Sequence, residues 1–114
     1  MADHREIYLI SMAARMLEMH PQTLRKYERL GLVRPSRTMG SMRVYTEDEL
    51  GRLRLIKRLV DEMGVNLAGV QRLLDVAEVV QRIRPLVRDE GLTRHEVRRR
   101  LTQEFDRLCD IVGL

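Results

Sequence analysis

One short segment of the sequence places polar side chains on a single face of a predicted helix, and these are Gln22, Arg25, Lys26 and Arg29. Their three- and four-residue spacing makes them neighbours on the helix surface. Guanidinium, ammonium and amide groups donate hydrogen bonds, so this face suits an anionic partner that also offers acceptors, such as a nucleic acid. A basic stripe by itself more often indicates a solvated helix face, so the neighbouring elements decide its meaning.

The helix that carries this face has clear end signals. Pro21 suits a first helical position and Gly31 a C-terminal cap, which predicts a helix over residues 21–30. A shorter helix should precede it, because Ser11 is a good N-cap. Its apolar residues at helical spacing are Met12, Ala13, Met16 and Leu17. Two short helices joined by a tight turn form a helix-turn-helix, whose second helix enters the major groove of DNA.

A basic hairpin follows at once. The turn-rich run SRTMGSMR, residues 36–43, leads into a predicted strand at residues 43–45, which together indicate a two-stranded wing. Thr46 and Glu49 then form a capping box that opens a third helix. Its apolar stripe is Leu50, Leu53, Ile56, Leu59, Val60 and Met63. Next to such a wing, the basic face of the second helix is strongly favoured as a DNA contact.

The charge distribution agrees with this interpretation. The formal net charge is +4, and residues 1–45 carry eight Lys or Arg against four Asp or Glu. Residues 46–114 carry thirteen of each sign, so the whole excess lies in the helix-turn-helix and wing.

Several function classes are disfavoured by composition and motifs. The sequence has a single cysteine, Cys109, and no paired His or Cys spacing, so we expect no metal and no cofactor. It has no Gly-rich phosphate loop and no nucleophile with a credible base, which disfavours an enzyme. No apolar run is long enough for a signal or a membrane span, and we expect a cytoplasmic protein without a membrane partner.

The sequence after Gly64 predicts two further helices. Asn66 suits an N-cap, Thr93 and Glu96 form a second capping box, and Pro85 should bend or end the helix between them. Apolar residues recur at near-heptad or helical spacing, at Val76, Val80, Ile83, Val87, Val97, Leu101, Phe105 and Leu108. Because a chain of 114 residues supports only a marginal core, these stripes predict dimerisation.

The order of these elements resembles the MerR family of bacterial transcription regulators. The blocks that carry the resemblance are Thr23-Leu24-Arg25-Lys26-Tyr27-Glu28, Gly31-Leu32, Pro35, Arg37 and Ser41-Met42-Arg43-Val44-Tyr45. In the family the first block is close to TLRYYE and the last is GYR followed by Tyr. The resemblance covers about residues 8–74. The variant HPQTLRKYERLGLV, with residues 65–70, is most similar to the HspR group of small heat-shock repressors.

The chain departs from the family pattern at a few positions. Glu18 occupies a turn where glycine is frequent, and Lys26 and Met42 stand where tyrosines are expected. The last two changes exchange one aromatic phosphate contact for a cation and remove an aromatic residue from the wing. We therefore expect a different half-site preference.

The resemblance implies a mainly α fold, with a winged helix-turn-helix DNA-binding domain and small β-hairpin wing over residues 1–74. A C-terminal helical dimerisation segment follows over residues 75–114. The predicted DNA contacts are Ser11, Gln22, Thr23, Arg25, Lys26, Tyr27, Arg29, Arg37 and Arg43. Of these, Thr23 and Tyr27 would contact the DNA backbone, and Arg37 and Arg43 would hold the wing against phosphate or minor groove. The spacing of Tyr27 from Leu24 also fits a core residue with a wet hydroxyl.

The predicted function is a transcriptional repressor that binds double-stranded DNA as a homodimer at an inverted repeat. Similarity to the HspR group implies control of chaperone operons, with the DnaK chaperone as co-repressor. Two alternatives stay open: a MerR-type activator that distorts promoter DNA, and a protein-interaction adaptor that uses the helical tail. The operator position relative to the promoter separates activator from repressor, and DNA affinity separates both from the adaptor.

Overall fold

The computed structural model describes residues 6–38, 40–88 and 91–114. Within these ranges the elements are, in chain order, β1 (Ile7–Leu9), α1 (Ile10–Leu17), α2 (Pro21–Arg29), β2 (Ser36–Arg37), β3 (Arg43–Thr46), α3 (Glu47–Lys57), α4 (Leu67–Arg88) and α5 (Arg94–Val112). A π-helical turn, Arg58–Glu62, prolongs α3. The predicted mainly α fold, with a helix-turn-helix, a wing and C-terminal helices, is confirmed. The chain divides into two compact units, Met1–Gly64 and Val65–Leu114.

The start of α1 differs from the prediction. The helix begins at Ile10, its N-cap is Leu9, and no side chain caps it, so Ser11 lies inside the first turn. The cause is β1, because Leu9 pairs with Val44 and the chain turns helical as soon as this pairing ends. Ser11 is exposed on the first turn, and the prediction that it caps α1 was wrong.

The buried face of α1 is narrower than predicted. Ala13, Ala14 and Leu17 are buried, whereas Met12 and Met16 are 48% and 41% exposed. The face that packs against α2 and α3 is therefore made mainly of small side chains. The two methionines, predicted as part of the apolar stripe, lie at its solvent edge.

A three-stranded antiparallel sheet joins the wing to the start of the chain. The strand order is β1-β3-β2, so β3 pairs with both neighbours. The predicted wing hairpin is formed by β2 and β3, while β1 was not predicted and pairs Tyr8 with Tyr45. Met39, in the loop of the predicted wing, lies outside the described residues.

The capping box predicted for α3 is confirmed. Thr46 Oγ1 accepts a hydrogen bond from the Glu49 backbone, and the Glu49 carboxylate accepts one from the Thr46 backbone. Leu50, Leu53, Ile56 and Leu59 of the predicted stripe are buried, but Met63 is 63% exposed. The π-helical turn explains this, because the bond from Met63 N to Arg58 O spans five residues and shifts the helical register.

The second unit is an antiparallel pair formed by α4 and α5. Arg72 bonds the backbone oxygen of Ile111, and Arg82 bonds Glu104, so positions later in α4 meet positions earlier in α5. The predicted caps are confirmed, since Asn66 Oδ1 accepts from Gly69 N at 2.8 Å and Thr93 forms a capping box.

Pro85 does not end α4, which runs on to Arg88. Proline cannot donate the backbone hydrogen bond to the residue four positions before it, and its ring crowds that carbonyl group, but α4 continues for three residues beyond it. The functional boundary predicted between residues 74 and 75 falls inside α4 and stays a prediction. No helix in the described ranges has the length and apolar character needed to cross a membrane.

The residues predicted to mediate dimerisation are not part of the core of the single chain. Buried side chains of this unit are Val70, Leu74, Val79, Leu86 and Ile111. The predicted set is half-buried at Val76, Ile83, Val97, Leu101 and Leu108, and exposed at Val80, Val87 and Phe105. An apolar surface therefore remains accessible on both helices.

Candidate nucleic-acid interface

Helix α2 is fixed at both ends by local hydrogen bonds. His20 is its N-cap, and His20 Nδ1 accepts a hydrogen bond from Gln22 N at 3.0 Å. Gly31 has a φ of 78°, and the bonds from Gly31 N to Glu28 O and from Leu32 N to Tyr27 O complete a Schellman cap. Glycine suits this position because other residues pay to adopt a left-handed conformation. The predicted helix therefore forms, and it ends at Arg29.

The two faces of α2 separate as the sequence spacing requires. Leu24 is fully buried and Tyr27 is 6% exposed, so these side chains anchor the helix on the core. Five of the predicted DNA contacts lie on the accessible side, since Gln22, Lys26 and Arg29 are exposed and Thr23 and Arg25 are half-buried. Leu30, expected on the apolar side, is 50% exposed because it is the C-cap residue beyond the end of the helix.

A carboxylate that the sequence analysis did not single out connects this helix to the wing. Glu28 Oε2 accepts a hydrogen bond from Arg37 Nη2 at 2.9 Å, and Glu28 Oε1 accepts one from Arg43 Nε. Arg37 also bonds the backbone oxygen of Ser41 across the wing turn, at 3.3 Å. The hydrogen bond to Glu28 raises the pKa of the Arg43 guanidinium, although burial acts in the opposite direction. Both predicted wing contacts are therefore bonded to α2.

The three residues of this ion-pair cluster, Glu28, Arg37 and Arg43, are visible in the sequence, but they are not neighbours along the chain. Glu28 is the single acid among the residues of α2, with Lys26 two residues before it and Arg29 directly after it. Nothing in the helix itself indicates a partner for it. The partners appear only when β2 and β3 bring Arg37 and Arg43 to the same end of the helix.

Two tyrosines lie behind the candidate interface. Burial raises the pKa of Tyr45, and the negative charge of Glu28 raises it further. The Tyr45 hydroxyl is buried, and no hydrogen-bond partner for it is present among the described residues. Burial also raises the pKa of Tyr27, with a second contribution from Asp61. The ring of Tyr27 therefore belongs to the core, and its predicted phosphate contact stays a prediction.

Side chains from α3 hold the segments on either side of α2. Arg52 Nε donates to the backbone oxygen of Leu32 at 2.6 Å, just after α2. Lys57 Nζ donates to the backbone oxygen of Leu17 at 2.7 Å, at the end of α1. The helix-turn-helix is therefore braced by cations on the third helix, and these residues were not predicted as part of the site.

The described residues contain no group of three or more His, Cys, Asp or Glu side chains placed to hold a metal ion. Cys109 is a free, half-buried thiol on α5.

The chain matches one protein family and several curated relatives. The model of the MerR HTH family regulatory proteins matches residues 8–77. The heat shock protein HspR of Streptomyces coelicolor is 45% identical over 74 residues, which cover 65% of this chain and 49% of that protein. The regulator MlrA of Escherichia coli is 38% identical over 69 residues, which cover 60% of this chain and 28% of MlrA. The matched part thus spans about half of these relatives or less.

Among solved structures, HiNmlR is similar in fold. It is a MerR family regulator that lacks the sensor domain, and its structure was determined bound to promoter DNA. The match has a TM-score of 0.59 at 22% identity and covers 95% of this chain and 75% of HiNmlR.

Proposed function

The chain belongs to the MerR family of helix-turn-helix regulatory proteins, and from this we propose that it is a sequence-specific transcriptional repressor of heat-shock or chaperone operons. Regulation of transcription through DNA is the property of the family. The repressor role and the class of target operon are the finer parts of the proposal. They are supported by the 45% identity to HspR, which covers 65% of this chain.

The observation that carries the proposal is the exposed basic face of α2 beside a basic wing. Gln22, Lys26 and Arg29 lie free of the core, while Leu24 and Tyr27 hold the helix from behind. A rigid helix with outward guanidinium and amide groups can read base edges in the major groove. The wing arginines would then contact the DNA backbone, whose phosphates favour cations.

A homodimer is the second part of the proposal. The exposed apolar side chains of α4 and α5, among them Val87 at 67% and Phe105 at 63% exposure, supply a surface for a second copy. A two-fold dimer requires an inverted-repeat operator with half-sites about 34 Å, or a multiple of this, apart. We expect such a protein to act in the bacterial cytoplasm, on the nucleoid.

The decisive experiment is fluorescence anisotropy of the full chain with two duplexes at several salt concentrations. One duplex carries the inverted repeat upstream of the protein's own operon or of a chaperone operon, and the other is its scrambled sequence. A preference for the repeat of about a thousandfold or more, with affinity that falls steeply with salt, supports a specific regulator. Weak, equal binding to both duplexes would mean either that specificity requires a co-repressor or that the adaptor is the better proposal, and addition of the co-repressor separates the two.

The direction of regulation and the signal need separate tests. An operator that overlaps the promoter indicates a repressor, whereas one inside an over-long spacer between promoter elements indicates an activator. We propose the DnaK chaperone as co-repressor, on the similarity to the HspR group. Purified DnaK should then increase operator affinity in the same anisotropy assay, and an equal concentration of an unrelated protein should not. Unchanged affinity would remove DnaK from the proposal.

A further inference from the structure

Glu28 places a negative charge inside a surface that is otherwise suited to a polyanion. It lies on the same helix as Arg25 and Arg29, two of the predicted DNA contacts, and its side chain is 21% exposed. A carboxylate close to phosphates is unfavourable by Coulomb's law. In a DNA interface, another effect of Glu28 must therefore offset this repulsion.

The contacts of Glu28 indicate that role. Each carboxylate oxygen accepts from a different wing arginine, Oε2 from Arg37 and Oε1 from Arg43. A single side chain on α2 therefore fixes two guanidinium groups from two different strands. The wing is attached to the helix through charge-assisted bonds, which are stronger than neutral ones.

Arg37 and Arg43 have N–H donors left for a further partner while they are bonded to Glu28. A guanidinium has five N–H donors. In the described part of the chain Arg37 uses donors toward Glu28 and Ser41, and Arg43 uses its Nε–H toward Glu28. Their side chains remain 45% and 31% exposed. The remaining N–H groups can bond phosphate oxygens without breaking the contact with Glu28.

We propose that Glu28 is the positioning residue of the DNA interface, which orients Arg37 and Arg43 so that both contact the sugar-phosphate backbone in one register relative to α2. This inference rests on the proposed function. It assigns to an acid in the interface a favourable effect on specific binding, even though its charge opposes DNA binding in general.

Two physical effects of Glu28 have opposite signs, which makes the proposal testable. Removal of a negative charge should strengthen binding to any duplex, because it lowers the repulsion from phosphate. Loss of orientation should weaken binding to the operator alone, because the phosphate contacts of the wing depend on register. The ratio of operator affinity to scrambled-duplex affinity therefore separates orientation from charge.

The experiment uses the full chain and a duplex that the wild-type protein has selected from a randomised pool, with a scrambled version as comparison. Glu28→Gln removes the charge, and Glu28→Asp keeps the charge but shortens the reach to the two arginines. Glu62→Gln is the matched control for charge, because Glu62 is 69% exposed and lies 4.0 Å from Arg58. Far-UV circular dichroism establishes that each variant is folded.

We expect both Glu28 variants to lower the affinity ratio about tenfold or more, as for the loss of charge-assisted hydrogen bonds, and Glu62→Gln to leave it unchanged. The salt dependence of operator binding should also become shallower, by close to two phosphate contacts. Charge removal alone would leave this slope unchanged. In a variant with Arg37→Gln and Arg43→Gln, the further change Glu28→Gln should have no additional effect on the ratio.

The outcomes distinguish this inference from the proposed function. If the wild-type protein selects no duplex and binds all sequences equally, the proposed function fails. If the wild type discriminates but Glu28→Asp and Glu28→Gln keep the full ratio, the positioning role is overturned while the function stands. If the Glu28→Gln variant is unfolded, Glu28→Asp and the arginine double variant decide whether Glu28 has the positioning role.

Discussion

Lys57 on α3 donates a hydrogen bond from Nζ to the backbone oxygen of Leu17 at 2.7 Å, and a longer one to that of Glu18 at 3.5 Å. The end of a helix carries free carbonyl groups and partial negative charge. The ammonium group of Lys57 satisfies one of these carbonyls and offsets the charge. It thereby fixes the turn between α1 and α2 against the third helix, from a position 40 residues further along the chain.

Lys57→Met should lower the free energy of unfolding by about 1 kcal/mol, because the methionine fills similar space but leaves the carbonyl of Leu17 without this donor. Arg54→Met is the matched control, since Arg54 lies in the same last turn of α3 and is exposed. Urea unfolding of both variants measures the difference. Equal stability of the two would show that the contact contributes nothing to the turn.

Glu18→Gly should stabilise the protein by about 1 kcal/mol. Glu18 has a φ of 55°, in the left-handed region that a non-glycine residue enters at a cost. The bond from Met19 N to Ala14 O completes the same Schellman cap that Gly31 forms after α2, but here without glycine. Glu18→Gln separates charge from backbone strain, because it removes the charge and keeps the side chain. A Glu18→Gly variant no more stable than Glu18→Gln in urea would argue against stored strain.

The sequence was sufficient where structure is determined by neighbours along the chain. The capping boxes at Thr46 and Thr93 and the glycine cap at Gly31 were predicted correctly, because each depends on residues within a few positions. The basic face of α2 followed from helical spacing in the same way. The general position of the wing followed from turn-rich residues between two short strands.

Features that depend on distant pairing were not predicted. The three residues of β1 become a strand only because β3 offers them a partner, and this displaced the start of α1 from the expected Ser11. The role of Glu28 depends likewise on the return of the wing. The exposure of Met63 depends on a π-helical turn that no residue in the sequence signals.

Arg25→Ala should weaken operator binding by about 1 to 3 kcal/mol if Arg25 pairs with a base edge, as its half-buried position on the accessible side of α2 suggests. The loss should be concentrated at one operator position, where the preference for a single base should relax. A panel of duplexes with single base changes measures this, and Arg54→Ala on α3 serves as the control. An equal loss on every duplex would make Arg25 a phosphate contact instead.

The stability contributed by Tyr8 should depend on pH in the alkaline range. The Tyr8 hydroxyl donates to Glu47 Oε2 at 2.8 Å, and chiefly this bond raises the pKa of Tyr8 from 10.0 to about 12. Between these values the unfolded chain loses the proton while the folded chain keeps it, so stability falls as pH rises. The difference in unfolding free energy between wild type and Tyr8→Phe should be constant below pH 10 and shrink toward pH 12. A difference that stays constant through this window would show that the hydrogen bond does not hold the proton.

Phe105→Ala should weaken dimerisation while it leaves the single chain folded. Phe105 is 63% exposed, so its removal creates no cavity in the monomer. At the centre of an interface, however, an aromatic side chain commonly contributes about 2 kcal/mol or more.

The matched control is Arg107→Ala. Arg107 is also exposed on α5, but the helical spacing points it away from Phe105. Sedimentation equilibrium should give a dimer dissociation constant at least about tenfold higher for Phe105→Ala and unchanged for Arg107→Ala. Operator affinity should fall with dimerisation, since each protomer then binds a half-site alone. Equal dissociation constants for wild type and both variants would place the dimer interface elsewhere on the chain.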